Sequence, residues 1–134
     1  MREIPDNTIG YASLIVQEHH LASQLKDSSL APVFSTPMLV AVMENAALNA
    51  IKPFFDEGET ALGTAIELKH LAATPLGFKV EATALVTAVN GRKITFKITA
   101  VDGIDLIGEA IHERTVIKTQ SFMDKLSKKL QLKP

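Results

Sequence analysis

The chain contains no cysteine, which excludes a disulfide framework, a thiolate metal site and a cysteine nucleophile. It has no excess of one charge. Its 14 lysines and arginines are balanced by 15 aspartates and glutamates, a formal net charge of −1, and both signs are scattered along the chain. A nucleic-acid binder usually shows a basic face, and none is visible. No apolar run approaches the ~20 residues needed to span a bilayer. The first residues, MREIPDNTIG, lack the apolar core of a signal peptide. No internal repeat, low-complexity tract or interdomain linker interrupts the chain. A Walker loop, a dinucleotide fingerprint, a G-x-S-x-G elbow and zinc-ligand spacing are also missing, so neither a metal nor a cofactor is expected. Together these absences predict a soluble, cytoplasmic protein with no nucleic-acid or membrane partner.

What is present is enough for one domain over residues 1–134, with 46% hydrophobic residues to build its core. YASLIVQ (11–17) is apolar and partly β-branched, and reads as a strand. Residues 18–34 read as an irregular, partly helical connection. Thr36 before Pro37 is a helix start, hydroxyl cap and then proline. That helix should run to about Ile51, because Pro53 disfavours helical geometry at Lys52. The period then changes to two. In ALGTAIELKHL, Leu62, Thr64, Ile66, Leu68 and His70 share one face, with Glu67 and Lys69 on the other. Strands follow at 78–89, 92–101 and 104–117, the last bent at Gly108. Asn90-Gly91 and Asp102-Gly103 mark tight turns between them. SFMDKLSKKL (121–130) reads as an amphipathic helix. Consecutive hairpins mean an antiparallel sheet, and a helix apolar on nearly all sides must be buried on nearly all sides. The predicted class is α+β, a curved antiparallel sheet wrapped around one central helix.

Four positions on this frame could carry chemistry. Glu44 lies among Val40, Ala41, Ala47, Leu48 and Ile51, where a carboxylate needs a partner, a shifted pKa or a wet pocket. It is either functional or a helix edge that meets solvent or a lysine. His70 ends a strand on the apolar face. It is either a satisfied core histidine or, if strand and helix bring it to Glu44, half of a general-base pair. Thr36 is a helix cap or a group at an oxyanion-binding helix terminus, with Met38 and later amides as donors, since Pro37 has none. Gly63 marks a β-bulge or a close approach by a ligand. His19 and His20 are adjacent, so in an extended segment they point apart. His112, followed by Glu113 and Arg114, reads as a solvated strand end.

FSTPMLVAVMENAA, ALGTAIELKHLAATPLG and NGRKITFKITAVDGIDLIGEAIHERTVI together resemble the fluoroacetyl-CoA thioesterase-like branch of hotdog-fold thioesterases, over about residues 30 to 118. The resemblance implies a hotdog fold and hydrolysis of an acyl-CoA substrate. It implies Thr36, Glu44 and His70 as catalytic residues, Gly63 near the thioester and a supporting Arg114. A non-catalytic acyl-CoA-binding or sensor protein is the alternative, and three polar groups on otherwise apolar elements weigh against it. Thr36 and Glu44 are eight residues apart on one helix, about 12 Å along its axis. That is too far for both to touch one thioester group. A site built from both therefore implies a homodimer with its active site at the subunit interface, an arrangement that the resemblance supports.

Overall fold

The computed structural model describes residues 1–134. Strand β1 (Ile9–Ile15) leads through a 3-10 turn (Glu18–His20) and a single helical turn, α1 (Ala22–Leu25), to the long helix α2 (Thr36–Ile51). Four strands follow, β2 (Glu59–His70), β3 (Lys79–Asn90), β4 (Lys93–Val101) and β5 (Leu106–Lys118), and helix α3 (Thr119–Gln131) ends the chain. Every pairing is antiparallel, and the order across the sheet is β1-β3-β4-β5-β2, which leaves β1 and β2 as edges. All five strands reach α2, so the sheet curls around the helix in the hotdog arrangement.

The period-two pattern explains the curl. Val80, Ala82, Ala84 and Val86 of β3 and Ile94, Phe96, Ile98 and Ala100 of β4 point inward and are buried, as are Leu39, Met43, Ala46, Ala47, Ala50 and Ile51 of α2. Each large aliphatic side chain removed from water in this way stabilises the fold by roughly 1.5–3 kcal/mol. Small residues set the spacing. A Cβ at Gly10 would stand 2.3 Å from the Ala46 carbonyl oxygen and from the Ala50 nitrogen, so β1 crosses α2 at a distance only glycine allows. No helix is long and apolar enough to cross a membrane.

The structure corrects several expectations. Helix α2 is not covered all round. Its flank formed by Pro37, Ala41 and Asn45, with half-buried Val40, Glu44 and Leu48, is open. Ser35, not Thr36, occupies the helix N-cap, and no side chain caps it. Strand β1 begins earlier than expected, because Ile9 and Gly10 already pair with Leu85 and Ala84. His19 and His20 lie in the 3-10 turn rather than an extended segment, with ring centroids 4.0 Å apart. The β3–β4 hairpin centres on Gly91-Arg92, and only Gly91 takes a positive φ, 62°. Along β2 a register shift between Gly63 and Ala65 leaves Thr64 as an extra residue. This bulge reverses the facing of the strand. Ala61 and Gly63 face inward before it and Ile66, Leu68 and His70 after it, while Leu62 and Thr64 are exposed.

Candidate active site

Thr36 and His70 are brought together at the start of α2. The hydroxyl Oγ1 of Thr36 lies 2.8 Å from Nδ1 of His70. The backbone holds both from behind. Phe34 N–H donates to the Thr74 carbonyl at 2.8 Å and Ser35 N–H to the His20 carbonyl at 3.0 Å, fixing the entry to the helix. Leu71 N–H donates to the Ile107 carbonyl at 2.7 Å, fixing the exit from His70. The loop that follows is itself tied down, because Thr74 Oγ1 donates to Asp102 Oδ2 at 2.9 Å in a buried contact. Asp102 Oδ1 accepts the Ile104 and Asp105 N–H groups at 3.0 and 2.8 Å.

Burial lowers the pKa of His70 below the usual histidine value of 6.5, and the Ala72 carbonyl offsets this only in part. The imidazole is therefore neutral at pH 7 and able to take a proton. Its Nε2 is buried and has no partner in the protein. Helix α2 adds donors, since its first ladder bond runs from Leu39 N–H to the Ser35 carbonyl and leaves the Met38 N–H unused by the ladder. The Met38 side chain packs against the core, so this N–H is what Met38 can offer. Thr36 and His70 share a cleft of about 400 Å³ walled by Ala22, Val33, Leu71 and Ala72.

Glu44 lies elsewhere. It lines a second cleft, of about 420 Å³, with Ala41, Leu48 and Arg114 on the open flank of α2. Its Oε2 is 3.5 Å from Nη1 of Arg114, and its side chain is 38% exposed while that of Arg114 is 9% exposed. The pairing partner is thus an arginine rather than a lysine or bulk solvent. Gly63 completes this cluster, since a Cβ there would stand 2.4 Å from Glu44 Oε2. The bulge expected at Gly63 is present, and the group that approaches the glycine closely is the Glu44 carboxylate of the same chain. Within one chain Glu44 and His70 do not enter one space, contrary to the pairing expected if strand and helix brought them together.

His112 is the residue the sequence reading placed wrongly. It is 1% exposed, not solvated. Its Nδ1–H donates to the Ala65 carbonyl at 2.8 Å, and its ring stacks on Phe96 at a centroid distance of 5.8 Å. Arg114 Nη1 lies 3.3 Å from its Nε2, and Arg114 Nη2 donates to the Ala61 carbonyl at 2.8 Å. A signal was available. Ala110, His112, Arg114 and Val116 share one parity on β5, and all four are buried.

The family model for fluoroacetyl-CoA-specific thioesterases matches residues 16–120, most of the chain, with Thr36, Glu44, His70 and Arg114 inside the match. The chain belongs to that family. A fluoroacetyl-CoA thioesterase from Streptantibioticus cattleyicolor is 43% identical over 97 residues, 72% of this chain and 70% of that protein. A solved structure of the fluoroacetyl-CoA thioesterase FlK superposes with a TM-score of 0.90 at 34% identity, covering 95% of this chain and 98% of that one. A Thermus thermophilus protein of the thioesterase superfamily gives 0.88 at 25% identity, covering 99% and 100% of the two chains. For a member of the thioesterase family the division of the polar groups is notable. A neutral histidine with its threonine sits in one cleft, and a carboxylate held by a buried arginine sits in another.

Proposed function

We propose that this protein is an acyl-CoA thioesterase for a short acyl group, acting as a homodimer in which each active site takes Thr36 and His70 from one chain and Glu44 from the other. One observation carries the reading. Thr36 and His70 share a cleft that Glu44 does not enter, although all three are the residue types a thioester hydrolase needs. A second chain laid on the open flank of α2 removes the discrepancy and covers Ala41 and Leu48 at the same time. Membership of a thioesterase family supports the reaction class.

The chemistry follows from the groups. The unused N–H of Met38 at the positive end of α2 polarises the thioester carbonyl. The partner's Glu44 carboxylate either attacks the carbonyl carbon, giving an anhydride that water then opens, or takes a proton from water as the water attacks. In both routes the C–S bond breaks and CoA leaves as a thiolate, which takes the proton that the attacking water gives up, relayed by the neutral His70. Thr36 holds the His70 ring by its Nδ1. The aliphatic walls of the dyad cleft suit a short acyl chain, and Phe34, the single aromatic of residues 18–34, is spent in the core at 1% exposure. An acyl-CoA substrate supports a cytoplasmic place of action.

The test is a panel of short acyl-CoAs, fluoroacetyl-CoA among them, incubated with the protein and a free-thiol reagent. Catalytic release of CoA from at least one is expected. Tight binding without release from any would instead identify a sensor.

A further inference from the structure

We propose that His112 is a positioning residue of this site: in its neutral Nδ1–H form it holds the Arg114 guanidinium against Glu44, and its protonation undoes that arrangement. The proposal rests on the thioesterase reading for its kinetic consequence and on the fold alone for its geometry.

A carbonyl oxygen only accepts, so the 2.8 Å contact with Ala65 fixes the proton on Nδ1 of His112. The neutral ring then turns the lone pair of Nε2 toward Arg114, whose Nη1 lies 3.3 Å away. Nη1 carries two hydrogens. One of them reaches His112, and Glu44 Oε2 stands 3.5 Å from the same nitrogen as an ion pair. Nη2 is held by the Ala61 carbonyl at 2.8 Å. The guanidinium plane is thus set at two points, His112 and the Ala61 carbonyl, and Glu44 meets a charge held in place. The ring is held as well, since Phe96 stacks on one side and its Nδ1–H donates to the Ala65 carbonyl.

Protonation of Nε2 would set an imidazolium N–H against a guanidinium N–H with no acceptor between them. Two buried like charges at that distance repel strongly, and because His112 is pinned by the Ala65 carbonyl and Phe96, it is Arg114, at the edge of the open cleft, that must give way. The charges that reach His112 are Arg114 and Glu113 on its own strand and Glu44 from α2. β2 presents the Ala65 carbonyl and β4 the Phe96 ring, neither of which titrates. Burial, the largest effect, and Arg114 hold the pKa of His112 below 6.5 against the opposing pull of the Ala65 carbonyl, Glu44 and Glu113. The arrangement therefore holds at neutral pH and fails in acid.

The experiment has two arms. In the kinetic arm His112→Phe keeps the ring and its stacking but loses both nitrogens, and kcat should fall about 100-fold, as for an ångström-scale misplacement of a reacting group, with KM changed far less. His112→Gln offers a neutral acceptor near the position of Nε2 and should recover most of that loss. The parent's acid limb in log kcat should be steeper than that of His112→Gln, by up to one unit of slope, because His112 must stay neutral in the parent and has no counterpart in the variant. Parent-like kcat in His112→Phe, or an unchanged limb in His112→Gln, overturns the proposal. In the second arm, ¹⁵N NMR of the folded parent should show the Nδ1–H tautomer at pH 7 and a midpoint below 6.5. Arg114→Gln should raise that midpoint and Glu44→Gln should lower it. The Nε2–H tautomer, or a midpoint indifferent to Arg114→Gln, overturns the proposal whether or not any acyl-CoA is hydrolysed. A parent inactive on every thioester, with the NMR result as expected, refutes the thioesterase reading alone.

Discussion

Adding one methyl group at Gly63 separates function from stability more cleanly than deleting a catalytic group. The new Cβ would stand 2.4 Å from Glu44 Oε2, whereas ordinary contacts begin at 3.4 Å, so the carboxylate must retreat by about 1 Å. The main clash falls on the far end of a flexible side chain; the contact with His112 Cε1, at 3.2 Å, asks the ring for only a few tenths of an ångström, and the φ of Gly63 is not positive. Glycine inside a strand costs roughly 0.5–1 kcal/mol relative to alanine. The melting temperature of Gly63→Ala should therefore stay level or rise slightly. A reacting group displaced by that distance costs about 100-fold in rate. Release of CoA thiol gives kcat and KM, and calorimetry gives the melting temperature on the same sample. A variant with parent kcat refutes the placement of Glu44 in the reaction. A variant that loses activity only by unfolding refutes the account of Gly63.

Other outcomes follow from the same geometry. Thr36→Ser should keep most of the activity and Thr36→Ala should lose more, measured as kcat, because the hydroxyl serves His70 rather than the helix cap. Thr74→Val leaves the buried Asp102 carboxylate without one of its donors and should cost about 1–3 kcal/mol in urea unfolding; an unchanged midpoint would mean that this bond does not anchor the loop behind His70. Gly10→Val drives a side chain into the α2 backbone and should destabilise by about 1–3 kcal/mol or more, read from the same curves. His20, His70 and His112 all have pKa values lowered mainly by burial from 6.5. Their contribution to stability is therefore complete above pH 6.5 and is lost as pH falls below it. Melting temperature should drop between pH 7 and pH 5, and less steeply in His112→Gln.

The sheet and the central helix were legible because burial in this fold is periodic. Ile94, Phe96 and Ile98 alternate with Lys93, Thr95 and Lys97, and the helix ends at Ile51 as expected, although Lys52 keeps helical angles before Pro53 and opens a 3-10 turn (Lys52–Phe54) rather than leaving the helical region. The facing of Leu62 and Thr64 was not legible, because a single extra residue in β2 inverts the parity and nothing local announces a bulge. His112 was hidden by its polar neighbours Glu113 and Arg114. Its burial depends on Phe96 and Ala65, which only the folded sheet brings to it. The pairing of Thr36 with His70 was foreseen only through the resemblance, since two residues so far apart in sequence carry no local sign of contact. The pairing of Glu44 with Arg114 was not foreseen at all. Eight residues of helix, by contrast, separate Glu44 from Thr36 by about 12 Å whatever packs around them.

The shared site is most directly tested by mixing subunits. His70→Ala and Glu44→Gln proteins, each nearly inactive, are denatured together and refolded. Random pairing makes about half of the dimers mixed, and a mixed dimer has one of its two sites with both residues intact. Activity should recover to roughly a quarter of the parent value. If mass spectrometry shows mixed dimers and the mixture stays as inactive as its parts, the active site is not shared between chains.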